Sequence, residues 1–121
     1  MKSLVLVAHG SRRESSNEEV RELAARLARR TSDTFTSVSA AFLELAEPSI
    51  EDGIVSSVDD GAREVVVLPY FLSAGRHVAT DIPREVDRAR AARPDADIRL
   101  VPYLGASETV LDVLAGLATD H

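Results

Sequence analysis

Residues 4–12 read Leu4-Val5-Leu6-Val7-Ala8-His9-Gly10-Ser11-Arg12. The unbroken apolar run Leu4 to Ala8 describes a strand buried on both faces, as found at the centre of a parallel sheet. Gly10 allows a tight exit from it and leaves the imidazole of His9 room to point outward. Val65-Val66-Val67-Leu68, closed by Pro69, has the same character. Two other strands, about Val38 to Leu43 and about Ile98 to Val101, carry Ser39 and Arg99 and so belong at the sheet's edges.

Amphipathic stretches separate these runs. Ser16, with Glu19 three residues on, marks the start of a first helix whose inward face is Val20, Leu23, Ala24 and Leu27. Pro48 opens a second, with Ile50, Ile54 and Val58 inward and Gly61 as its stop. A long connection, Tyr70 to Thr80, precedes a third helix capped near Asp81 and ended before Pro94. A fourth begins at Ser107 and lines up Val110, Leu111, Leu114 and Leu117.

The pattern predicts an α/β three-layer sandwich: one domain over residues 1–121, with a four-stranded parallel sheet in the order 2-1-3-4. In such a sheet the chain changes direction between strands 1 and 3, and ligands bind beyond the carboxyl ends of those strands. The loops opening there start at His9 and at Pro69.

Composition narrows the chemistry. With no cysteine among 121 residues, disulfides, thiolate ligands and thiol nucleophiles are excluded, and any metal must sit on nitrogen or oxygen. The leading apolar run is too short to span a bilayer, so a cytoplasmic protein is expected. A net charge of −6 with dispersed basic residues argues against nucleic acid and membrane partners, and an anionic ligand would need local arginines. Phosphate-loop, nucleophile-elbow and dinucleotide fingerprints are all missing.

Two of the three histidines, His9 and His77, fall on the loops at the switch point. With Glu44 at the end of strand 2 they make an open N/O site for a borderline divalent ion. A single histidine at a strand end serves equally well as a structural hydrogen-bonding group, and Glu47 in the same loop is an alternative to Glu44. His121, the last residue, is assigned nothing. The segment Tyr70-Phe71-Leu72-Ser73-Ala74-Gly75-Arg76 offers apolar surface, a glycine hinge and a cation; Phe71 and Leu72 either line a flat pocket or cap the core. Arg12, Arg13 and Arg76 stand beside the histidines, where charge-assisted pairing with carboxylates is available, although Arg13 reads equally as a solvated charge.

Three segments in this order, residues 4–12, 41–50 (Ala41-Phe42-Leu43-Glu44-Leu45-Ala46-Glu47-Pro48-Ser49-Ile50) and 66–77, resemble the small sirohydrochlorin chelatases, the small cobaltochelatases among the class II chelatases. The resemblance covers essentially the whole chain. It implies a chelatase-like half-unit, fused in pairs in longer relatives and paired with itself here as a homodimer. It implies His9 and His77 as catalytic and metal-handling residues, with Glu44 on the metal. Substrate contacts are expected from Ser11, Arg12, Tyr70, Phe71, Leu72, Ser73, Gly75 and Arg76. The expected reaction inserts Co²⁺, Ni²⁺ or Fe²⁺ into a tetrapyrrole, with the ion as substrate and no tightly bound cofactor. The histidine-rich segment of some nickel- and cobalt-handling relatives is missing, so no particular metal is implied. The rival expectation from the same ligands is a carrier that binds metal or tetrapyrrole without catalysis.

Overall fold

The computed structural model describes residues 1–120; His121 lies outside the described residues. Its sheet is β1 (Lys2–Ala8), β2 (Ser37–Phe42), β3 (Glu64–Pro69) and β4 (Asp97–Leu100), all parallel and ordered β2-β1-β3-β4. The expected topology holds, with strand ends displaced by one or two residues. Ala8 stands beside Phe42, and Val7 beside Pro69, so the loops after β1, β2 and β3 open at one edge.

Strand alternation divides the core. Val5 and Val7 join Val65, Val67 and Ile98 on one face, under Ile50 and Ile54 of α2 (Ile50–Asp59) and Ile82, Val86 and Ala89 of α3 (Ile82–Ala92). Leu6 and Ala8 point the other way, with Phe42 and Ala24, under α1 (Glu14–Arg30). Burial on both faces explains why β1 reads as a continuous apolar run rather than an alternating one. Ser49 caps α2 by accepting from the Asp52 N–H, and Gly61, at φ +119°, stops the chain just beyond it.

Three expectations need correction. Helix α1 starts at Glu14, not at Ser16, because Ser11 accepts from the Arg13 N–H and Asn17 reaches back to Ser11, so the chain is already turned into the helix. Asp81 does not cap α3. A π-helical turn, His77–Asp81, runs straight into that helix, and the Ile82 N–H donates to the His77 carbonyl five residues back. The connection after β3 therefore shrinks to residues 70–76.

The third correction concerns α4 (Glu108–Thr119), which leaves the sheet uncovered instead of packing on it. Its principal contact is the short 3₁₀ turn Leu104–Ala106 before it. Leu111, Leu114 and Leu117 are 62%, 56% and 72% exposed, so these three leucines of the apolar face are left largely uncovered by the described residues. Among the described residues no helix is long and apolar enough to cross a membrane.

Candidate metal centre

His9 leaves β1 directly, and its position is set by two backbone bonds between loops. The Leu43 N–H donates to the Ala8 carbonyl and the Glu44 N–H to the His9 carbonyl, each at 3.0 Å. Gly10 adopts φ +93°, and a β-carbon there would run into the Glu44 carbonyl oxygen. Only glycine permits both the turn and the close approach. Asn17, 2% exposed, binds the Ser11 N–H and C=O with its amide and so fastens the loop to α1. Arg21 links α1 to the second loop, donating to the Glu47 carbonyl and lying 5.2 Å from the Phe42 ring centroid. It also pairs with Glu14, and that guanidinium, followed by the Asn17 amide, holds the Glu14 carboxyl below the usual range.

His77 arrives from the other side on the π turn. The His9 and His77 rings stand edge to face with centroids 4.8 Å apart, so residues 68 positions apart in the chain share one site. His9 Nδ1 lies 3.0 Å from the Gly10 carbonyl oxygen; since a carbonyl only accepts, Nδ1 carries the hydrogen. His77 Nδ1 lies 2.9 Å from Asp81 Oδ2, which likewise accepts. In the neutral imidazole this tautomer leaves the lone pair on Nε2, the form in which imidazole binds metal. His9 Nε2 faces Glu44 Oε1 at 3.3 Å, a contact that either a proton on Nε2 or a cation beside the pair makes favourable.

The sequence-named residues therefore separate. His9, His77 and Glu44 come together; Glu47 does not pair with His9. The Ser11 hydroxyl is engaged with the Arg13 N–H. Phe71 packs against the core while Leu72 is 72% exposed, so the two alternatives for this pair are divided between them. Tyr70 is half-exposed, and Arg12, Ser73, Gly75 and Arg76 are exposed along the loops that carry or precede the histidines. Among the described residues no group of three or more histidine, aspartate and glutamate side chains is placed to hold a metal ion; what the fold brings together is the two imidazoles, with the Glu44 carboxylate beside His9. Sequence reading missed Asp81 as the histidine's partner, taking it for a cap. It also missed Asn17, and Gly105, whose N–H donates to the Phe71 carbonyl at 2.9 Å and whose missing side chain lets the turn press on Leu72. The histidine–aspartate spacing of four residues is the one signal that points to Asp81 in advance.

Fold and site together define an α/β protein with two histidines side by side at the topological switch point, a candidate metal centre. The chain matches the CbiX family over residues 3–120, and it belongs to that family. It is 38% identical over 111 residues to the chloroplastic sirohydrochlorin ferrochelatase of Arabidopsis thaliana, covering 92% of this chain and 48% of that protein. It is 30% identical over 118 residues to the sirohydrochlorin cobaltochelatase of Methanosarcina barkeri, covering 92% of this chain and 89% of the other. Its fold superposes on the sirohydrochlorin chelatase SirB of Bacillus subtilis subspecies spizizenii in complex with cobalt with a TM-score of 0.79 at 29% identity, covering 98% of this chain and 50% of that one. The chain thus spans about half the length of the Arabidopsis and Bacillus proteins and most of the Methanosarcina one.

Proposed function

We propose that this protein is a sirohydrochlorin chelatase: a divalent ion, Co²⁺ or alternatively Ni²⁺ or Fe²⁺, enters the tetrapyrrole and two pyrrole N–H protons leave. The observation that carries this reading is the pair of imidazoles 4.8 Å apart with both Nδ1 atoms engaged, His9 Nε2 beside the Glu44 carboxylate and His77 Nε2 without a protein hydrogen bond among the described residues. In this reading His9 and His77 hold the incoming ion, Glu44 adds the negative charge that favours it, and as the ion passes to the ring each vacated Nε2 accepts one of the two pyrrole protons. Positioning ring and ion together supplies the acceleration without a nucleotide. Arg12, Tyr70, Leu72, Ser73, Gly75 and Arg76 are the exposed groups available to the substrate, with Ser11 and Phe71 supporting the loops from within.

We further infer a homodimer. The apolar face of α4, exposed through Leu111, Leu114 and Leu117, supports this, as does the match of the chain to half of a longer relative. A second copy then stands where the longer chain has its other half, with α4 packing between the two. A cytoplasmic setting is the matching proposal, in line with the cysteine-free composition. The test is an absorbance assay of sirohydrochlorin with Co²⁺, Ni²⁺ and Fe²⁺, with and without protein. Faster metallation with protein is expected; equal rates would leave a carrier in place of an enzyme.

A further inference from the structure

A groove of about 210 Å³ leads away from the metal centre between the loop after β2 and the third helix, lined by Leu43, Glu44, His77, Asp81, Arg84, Glu85 and Arg88. Its two ends differ in charge. At the metal end, Glu44 faces His9 and Asp81 faces His77. At the far end, Glu85 gives one oxygen to the Glu51 N–H at 3.0 Å and the other to Arg88 at 3.3 Å, so its charge is already compensated. Arg84 has no carboxylate within salt-bridge distance among the described residues and is exposed. It is an uncompensated cation, in a chain of net charge −6, opening into the groove that also holds His77.

Geometry connects the two ends. Arg84 lies seven residues beyond His77 on a continuous helical run, roughly 10 Å of axial rise, and Arg88 one turn farther. Helical side chains lean toward the N-terminus, so a long arginine extends back toward the histidines. A planar ring centred on the metal would therefore have its edge over this groove.

We propose that Arg84, with Arg88 behind it, is an anchoring site for carboxylate side arms at the rim of the tetrapyrrole, a site that fixes ring position and selects polyanionic substrates. The proposal rests on the chelatase reading for the identity of the ring. Its own content is the charge-assisted pairing of guanidinium with carboxylate in the groove. Leu43, partly buried at the groove wall, supplies apolar contact beneath.

The experiment measures binding of metal-free sirohydrochlorin by ultrafiltration and absorbance, together with KM and kcat for insertion at saturating Co²⁺. The proteins are wild type, Arg84→Ala, Arg84→Ala/Arg88→Ala and Arg84→Lys. Arg29→Ala, at the opposite end of α1, controls for loss of one positive charge. Expected is a rise of about tenfold in both Kd and KM for the double variant, a kcat within twofold of wild type, unaltered Co²⁺ binding, partial recovery with lysine and no effect at Arg29. A double variant that binds the ring within twofold of wild type overturns the anchor, as does an equal loss in Arg29→Ala. If wild type binds the ring through these arginines but does not accelerate metallation, the anchor stands and the chelatase reading falls.

Discussion

Asp81 offers the sharpest test of the metal centre, because its proposed effect depends on where a hydrogen sits rather than on bulk. In the native arrangement its carboxylate accepts from His77 Nδ1 at 2.9 Å and leaves Nε2 open to a metal ion. Replacing Asp81 by Ala removes that preference and lets the ring rotate. A hydrogen bond to a charged group contributes about 1.5–3 kcal/mol, and the pair here is partly solvated, with side chains 44% and 28% exposed. The low end, about 1.5 kcal/mol, corresponds to slightly more than about tenfold in Co²⁺ affinity and in insertion rate, the lower range seen for groups that orient metal-binding histidines. Asp81→Asn is more informative. The amide either turns its oxygen to Nδ1 as an uncharged, weaker acceptor or turns its NH2 there and drives the hydrogen onto Nε2, the atom the metal needs, so Asn should bind and insert Co²⁺ less well than wild type despite its near-identical shape. Competitive Co²⁺ titration and single-turnover insertion, with circular dichroism as a check on folding, measure both. An Asn variant that binds and inserts Co²⁺ within twofold of wild type would refute the tautomer argument.

His9→Ala and His77→Ala should each lower the insertion rate by about 10²-fold or more, read against the uncatalysed reaction, with thermal unfolding little changed because both rings are half-exposed. Gly10→Ala forces φ +93° on a side-chain residue and drives its β-carbon into the Glu44 carbonyl, so denaturant unfolding should show a loss of about 3 kcal/mol. Leu114→Asp with Leu117→Asp should convert a dimer to a folded monomer by light scattering, since both side chains are exposed in the single chain. The fifth prediction concerns acid stability. Arg93 binds both oxygens of Asp59 at 2.7 and 2.9 Å, and its hydrogen bond holds that carboxyl below its ordinary range. A folded-state value below the unfolded one, about 3.9, means the pair stabilises above roughly pH 4 and stops doing so as pH falls through the depressed value. Asp59→Asn should therefore unfold more easily than wild type at neutral pH, with the difference vanishing near pH 2.

Why the sheet was legible from sequence and the helix starts were not has a physical reason. β1 is buried on both faces, so every position after Lys2 is under the same apolar constraint, and β3 beside it buries one face fully and the other, at Val66 and Leu68, in part. Ser16 with Glu19 looks like a capping box, but a box is a local pattern, and here the Ser11–Asn17 bonds turn the chain earlier and carry Ser16 into the first turns. Asp81 looked like a cap for a similar reason: a lone acid before a helix has that meaning only if the backbone before it is extended, and here it is already helical. The leucine face of α4 is legible as apolar from its spacing, but periodicity does not say which chain covers it. His9 and His77 could be brought together before the structure was known because topology rules say which loops share an edge. No such rule reaches the side-chain bonds that set each ring's tautomer.

In the proposed function, the openness of the candidate centre follows from what a transferred ion requires. A closed cage of four donors holds metal as part of the fold, and releasing it means unfolding the site. Two imidazoles and one exposed carboxylate leave coordination positions for water and for incoming nitrogens, so the ion can pass to the ring without all protein ligands leaving at once. Such a weak set is useful only if its geometry does not drift. Rigidity is therefore placed one layer out: Gly10 against Glu44, Asn17 on Ser11, Asp81 on His77 and Arg21 across the two loops. A fourth strong ligand introduced beside the histidines, for example Ser11→His, should accordingly raise Co²⁺ affinity while slowing transfer, and a variant improved in both would show that release of the metal is not what the open geometry serves.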